Sequence, residues 1–201
     1  MKITKASYLS SVTNWEKGPQ PTLPEYAFIG RSNVGKSSLI NALTRHNSLA
    51  KTSGKPGKTR CINHFLINDT FYMADLPGYG YAQVSKTLKE TFNQFTIDYI
   101  QHRPNLCCLF VLIDSRHTPQ KIDCEFLKFC ATIEVPFVIC FTKADKIKKN
   151  KCNQTIQAYK KTLSEEWERF PDYIVTSAEN KTGIKEILAL IQRTNASYAS
   201  K

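Results

Sequence analysis

Eight residues constrain this chain more than any others: Gly30-Arg31-Ser32-Asn33-Val34-Gly35-Lys36-Ser37. They fit the pattern G-x-x-x-x-G-K-[ST] in full. An apolar, strand-length run, Tyr26–Ile29, comes directly before them, and Leu39, Ile40 and Leu43 recur at helical spacing directly after. A strand, a glycine loop and a helix in that order aim successive backbone N–H groups and the positive end of a helix at one point. That point is a cradle for phosphate, and glycine lets the backbone wrap that closely. Lys36 should reach the β- and γ-phosphates, and the Ser37 hydroxyl should take a position on Mg²⁺. The bland reading, a glycine turn without a ligand, does not account for the flanking strand and helix.

The rest of the chain continues the alternation. Apolar runs at Tyr26–Ile29, Cys61–Ile67, Thr70–Ala74, Leu106–Ile113, Phe137–Phe141 and Tyr173–Thr176 predict six strands. Amphipathic stretches near Lys36–Arg45, Lys86–His102, Gln120–Ile133, Asn153–Phe170 and Gly183–Arg193 predict helices. The fold class is therefore α/β, with helices on both faces of a mostly parallel six-stranded sheet. One strand is expected to run antiparallel, because Asn68-Asp69 predicts a tight hairpin turn. Residues 1–24, with Gly18-Pro19, Pro21 and Pro24, read as a short N-terminal segment packing on a domain of residues 25–194. Residues 195–201 read as a disordered tail.

Composition narrows the setting. The longest apolar run, Leu106–Ile113, is eight residues, far short of the ~20 that a membrane span needs. The opening residues carry no apolar signal-peptide core. The seven cysteines include no C-x-x-C, and several lie inside apolar runs. They predict reduced thiols in a cytoplasmic compartment rather than a metal site. Lys plus Arg exceeds Asp plus Glu by 28 − 17, a net charge of +11, which favours a polyanionic partner.

The phosphate loop alone does not separate ATP from GTP. Asp75-Leu76-Pro77-Gly78 follows the third predicted strand. There Asp75 can hold Mg²⁺ through water, and Gly78 can offer its N–H to a γ-phosphate. Thr142-Lys143-Ala144-Asp145 follows the fifth strand. A carboxylate at Asp145 can accept both the ring N–H and the exocyclic amine of guanine, a donor pair adenine lacks. The commoner form is N-K-x-D; Thr142 loses the amide but keeps a hydroxyl able to stitch to the phosphate loop. Ser177-Ala178 follows the last strand, and the Ala178 N–H could bond the guanine carbonyl. The polar, basic segment Lys51–Arg60 holds two threonines, Thr52 and Thr59, either of which could complete a Mg²⁺ site.

Together GRSNVGKSSLINAL, a PGKT segment before a strand, DLPGYGYA, TKAD and a final SA pair resemble the EngB family of bacterial GTPases, in the TrmE–Era-like group of P-loop GTPases. The similarity covers nearly the whole chain, and DLPGYGYA is its most specific element. The resemblance implies a Ras-like G domain that binds GTP and GDP and hydrolyses GTP with Mg²⁺. It implies a role in assembly of the large ribosomal subunit, on a precursor of rRNA and ribosomal proteins, and a need for the protein in cell division and septation. By position, Thr59 becomes the switch threonine and joins Ser37 on the metal. Gly57, Lys58, Arg60, Cys61 and Thr176 join the GTP-binding residues. A monomer without membrane attachment is expected.

Many GTPases carry Gln directly after D-x-x-G, where it orients the attacking water. Here that residue is Tyr79, and a phenol cannot copy an amide. Slow intrinsic turnover is expected, with Lys36 and Gly78 carrying the catalytic contacts. By resemblance, Asn33 would hold a K⁺ beside the phosphates and supply missing positive charge; the alternative is that it only braces the loop. Tyr79 and Tyr81 could dock on RNA or a ribosomal protein, or pack on a neighbouring helix. Basic clusters at Lys51–Arg60 and Lys143–Lys151, with Lys160 and Lys161, are candidate rRNA contacts. The alternatives are a small-molecule kinase, which TKAD argues against, and a GTP-dependent cell-division switch without a direct ribosome role.

Overall fold

Strand β2 (Glu25–Gly30) is buried along its whole length. An unbroken apolar run requires this when both faces of a sheet are covered. The computed structural model describes residues 1–50, 61–80, 94–164 and 167–199. Their elements, in chain order, are β1 (Ala6–Val12), β2, α1 (Lys36–Thr44), β3 (Ile62–Ile67), β4 (Phe71–Asp75), α2 (Gln94–His102), β5 (Leu106–Asp114), α3 (Lys121–Thr132), β6 (Phe137–Thr142), α4 (Lys149–Leu163), β7 (Tyr173–Val175) and α5 (Ile184–Ala199). The strands lie in the order β1-β3-β4-β2-β5-β6-β7. Only β3 runs against its neighbours, pairing antiparallel with β1 and β4, while the other pairs are parallel.

The sheet therefore has seven strands among the described residues, not six. The additional strand comes from the segment read as a mere leader. Asn68 explains its placement. Asn68 and Asp69 both adopt positive φ, 49° and 56°, as a tight turn of the predicted kind requires. The freed Asn68 amide then grips the chain start. Its Oδ1 accepts from the Thr4 and Lys5 amides at 2.8 and 3.0 Å, and its Nδ2 donates to the Lys2 carbonyl at 2.9 Å. β1 carries a bulge between Tyr8 and Ser10 and leaves Tyr8 and Leu9 exposed at the sheet edge. Alternation is thus blurred, which hid the strand.

Two cores sandwich the sheet. Tyr26, Phe28, Phe65, Met73 and Phe110 pack under α1 and α5 on one face. Ile29, Val111, Ile139 and Phe141 pack under α2, α3 and α4 on the other. Residues 195–199, expected to be part of a disordered tail, are helical and close α5. Their anchor is Tyr26, whose hydroxyl donates to Asn195 Oδ1 at 2.6 Å. Helix α4 begins four residues before its predicted start and ends at Leu163. All seven cysteines are free thiols, and burial pushes Cys108 up to about 12. No described helix is long and apolar enough to cross a membrane.

Candidate functional site

The parallel strands β2, β4, β5, β6 and β7 deliver their C-terminal ends to one edge of the sheet. Ligand crevices in open α/β sheets lie at that edge. Gly30 ends β2 where a Cβ would stand 2.7 Å from the Leu112 carbonyl oxygen. The chain then arches through half-buried Arg31, exposed Ser32 and Asn33, and buried Val34. Gly35 takes φ 102° and opens α1, a conformation that side chains resist. Lys36, the first residue of α1, pairs with Asp75, the last residue of β4. Their side chains are only 11% and 5% exposed, so each neutralises the other where water is scarce. Ser37 follows, half-buried.

Beyond Asp75, buried Leu76 bonds through its N–H to the Phe28 carbonyl at 3.0 Å, and Pro77 is also buried. Gly78 then crosses the phosphate loop. A Cβ there would stand 2.7 Å from the Gly30 carbonyl oxygen and 3.4 Å from the Ser32 nitrogen. The glycine is thus required by contact between the two loops, besides any freedom it grants.

The expected stitch at Thr142 is present. Its hydroxyl donates to the Val34 carbonyl at 2.7 Å and lies 3.3 Å from that of Ile113. Lys143, at φ 58°, lays its stem along the same loop, with Nζ 2.5 Å from the Asn33 carbonyl. Ala144 donates its N–H to the Thr176 carbonyl at 3.1 Å. Asp145 accepts from the Ser177 hydroxyl at 2.6 Å, which helps hold its carboxyl below the usual range. TKAD and the Ser177-Ala178 pair are therefore one assembly. Cys61 lies half-buried just before β3. Gly57, Lys58, Thr59 and Arg60, with Thr52 and Tyr81, lie outside the described residues.

Sequence reasoning missed a second tier beside the loop. Asp114, at the end of β5, receives Arg116 Nη2 at 2.8 Å and Lys143 Nζ at 3.1 Å. Burial alone would raise its pKa, but these partners hold it at about 2. Asp123, in the first turn of α3, is buried and accepts from Tyr79 at 2.9 Å and Tyr159 at 3.1 Å. Burial still raises its pKa. Tyr79 also stacks on Phe126, with ring centroids 4.6 Å apart, so the residue after D-x-x-G packs on the neighbouring helix. A cavity of about 150 Å³ is lined by Arg31–Val34 together with Asp114, Arg116, Asp123 and Lys143. An acid inside the apolar pattern Cys124, Phe126, Leu127 was the available signal for Asp123.

The arrangement can hold a polyphosphate against α1 and a base near Asp145. Among the described residues, no cluster of His, Cys, Asp and Glu could hold a metal by itself. A cation here would rest on hydroxyl and phosphate oxygens, which suits a hard ion such as Mg²⁺. The Ser37 hydroxyl and the Asp75 carboxylate fit that donor set.

Comparison with known proteins agrees. A family model described as "50S ribosome-binding GTPase" matches residues 25–143. A relative from Flavobacterium psychrophilum named "Probable GTP-binding protein EngB" is 56% identical over 196 residues, spanning 97% of this chain and 96% of the relative. One of the same name from Porphyromonas gingivalis is 51% identical over 201 residues, the whole of both chains. A crystal structure of an EngB-type protein shares the fold at TM-score 0.63 and 23% identity, covering 86% of this chain and 99% of that one. The structure of Aquifex aeolicus Era bound to GDP·AlF4⁻ does so at TM-score 0.66 and 21% identity, covering 86% of this chain and 56% of Era. A chain this similar along its whole length, with the phosphate loop, D-x-P-G and TKAD brought to one edge of the sheet, belongs to the EngB family of GTP-binding GTPases.

Proposed function

We propose that this GTPase hydrolyses GTP to GDP and phosphate as a switch in assembly of the large ribosomal subunit, and that cell division and septation depend on that role. The supporting observation is the junction of three loops: Thr142 and Lys143 bonded to the phosphate loop, and Gly78 pressed against Gly30. One nucleotide would touch all three. The description of the matching family model supports a ribosomal partner. Residues 25–194 form the GTP-binding domain, with residues 1–24 packed on it, and the protein acts as a cytoplasmic monomer.

Each residue then has a part. Gly30 to Gly35 present backbone N–H groups to the phosphates, and Lys36 leaves Asp75 for the β- and γ-oxygens. Ser37 would hold Mg²⁺, joined by Thr59 as the family resemblance implies, and Asp75 would act on it through water. When bound, Mg²⁺ would supply positive charge against the phosphates. The Gly78 N–H bonds the γ-phosphate. Asp145 accepts from guanine, the Lys143 stem covers the ring, and Ala178 donates to its carbonyl. The family resemblance adds Gly57, Lys58, Arg60, Cys61 and Thr176 to the residues that would contact the nucleotide. Tyr79 donates to Asp123 and so does not orient water, which keeps intrinsic turnover slow. Asn33 would hold a K⁺, which would supply positive charge near the phosphates.

The test is co-sedimentation with large-subunit precursor particles, loaded with a non-hydrolysable GTP analogue or with GDP. Binding should depend on the analogue, and GTP should outcompete ATP by at least about a hundredfold. Turnover should fall in Na⁺ relative to K⁺ buffer, and Asn33→Ala should erase that difference. Equal sedimentation in both nucleotide states would refute the switch, and equal rates in both salts would refute the K⁺ role.

A further inference from the structure

Helix α4 turns Cys152, Thr155, Ile156, Tyr159 and Leu163 into the core. Its opposite face is exposed through Lys149, Asn150, Asn153, Gln154, Gln157 and Lys161. No carboxylate occurs from Lys146 to Ser164. The other long helices mix signs: α3 carries Lys121, Asp123, Glu125 and Lys128, and α5 carries Lys185, Glu186 and Arg193. Two lysines of the α4 region are committed to the protein. Lys146 lies 3.1 Å from Asp145, and Lys160 lies 4.9 Å from the Tyr173 ring centre. Lys148, Lys149, Lys151 and Lys161 are exposed and, among the described residues, take no ion pair.

Helix stability does not explain these cations. Three of the four sit at the N-terminal end of α4, where the helix dipole disfavours positive charge. Negative charge outside the helix would offset that cost. The exposed face is about 22 Å long at 1.5 Å per residue, and amide side chains lie between its end lysines. Amides donate to and accept from phosphate, sugar and base edges. Large apolar side chains, which a bilayer surface would need, are absent from the exposed positions of α4.

We infer that the outward face of α4, from Lys148 to Lys161, is an RNA-docking surface that takes a stretch of phosphate backbone beside the nucleotide site. This rests on the ribosome-directed reading above. It places the contact on α4, next to TKAD in the chain and apart in sequence from the basic segment Lys51–Arg60.

The test compares wild type with Lys148→Glu/Lys149→Glu/Lys151→Glu and with a control, Lys17→Glu/Lys185→Glu/Arg193→Glu, that lowers net charge by the same amount elsewhere. Glutamate at the start of α4 favours the helix dipole, so the α4 variant should melt no lower than wild type. Anisotropy of a labelled RNA stem-loop should show its affinity reduced at least about tenfold, and its salt slope shallower by about three. The control should bind RNA within about twofold of wild type, and all three should bind a fluorescent GTP analogue alike. The surface is overturned if the α4 variant binds RNA as wild type does, or if both variants lose equally. Capture of anionic phosphatidylglycerol vesicles but not RNA would overturn it in favour of a membrane. Failure of wild type to bind GTP would instead strike the GTPase reading.

Discussion

The Thr142 hydroxyl, beside the Lys143 ammonium, joins the TKAD segment to the phosphate loop. Thr142 stands where an asparagine is commoner, and its Oγ1 serves the Val34 and Ile113 carbonyls. Thr142→Val keeps the shape but leaves two buried carbonyls without that donor. The expected cost is about 1–3 kcal/mol of stability, read by urea denaturation, with a several-fold loss of GTP affinity by fluorescence titration. Thr142→Ser should recover most of both. A valine variant with unchanged affinity would show that the stitch is incidental. This contact was readable from the residue type, because a short hydroxyl after a buried strand reaches only nearby backbone. The Lys143 pairing with Asp114 was not readable, since a residue 29 positions away becomes a partner only through sheet register.

Helix α3 fixes the exit of D-x-x-G. Tyr79 stacks on Phe126, donates to Asp123, and sends its N–H to the Gly30 carbonyl at 3.3 Å. Three contacts hold Tyr79, and Gly80 follows at φ 82°. Tyr79→Phe removes one donor from a buried carboxylate. It should cost about 1–3 kcal/mol in thermal or urea unfolding. GTP turnover at saturation should stay within about twofold, since the phenol serves Asp123 and not the reaction. A large loss of turnover with stability intact would make Tyr79 catalytic. Predicted helices matched observed ones where apolar spacing was regular, as in α1 and α3. They drifted at α4, because its first turn holds Lys149, Asn150 and Lys151 and only one buried residue, Cys152.

Across the molecule, one buried cluster binds the leading segment, two strands and a helix. Glu25 of β2 accepts from Arg103 Nε and Nη2, each at 3.0 Å, and from the Tyr99 hydroxyl of α2. Arg103 also donates to the Pro19 carbonyl at 2.7 Å. His64 of β3 places Nε2 2.9 Å from the Tyr99 oxygen. Tyr99 spends its proton on Glu25, so the imidazole carries hydrogen on Nε2. Glu25 lies 3.8 Å away and would favour a charged ring, but burial and then Arg103 push His64 down to about 3. The unfolded chain, titrating near 6.5, binds more protons between those values. Stability should therefore fall as pH drops from about 6.5 towards 3, by up to about 1.4 kcal/mol per pH unit. His64→Gln should flatten that part of the profile in urea unfolding, above the range where Asp114 titrates. An unchanged slope would mean that another group carries it.

The sequence by itself determined the α/β class, the phosphate loop, the guanine-type motifs and the hairpin turn. Each rests on residues adjacent in the chain: backbone freedom at glycine, positive φ at Asn68 and Asp69, and apolar runs of strand length. Only the tertiary structure decided the seventh strand, the helical end of the chain, and the partners of the carboxylates Glu25, Asp114 and Asp123. The physical reason is range. A local motif carries its own geometry, but an edge strand forms only once β3 offers an unpaired ladder. A carboxylate is tolerable in a core only when donors from distant elements arrive together.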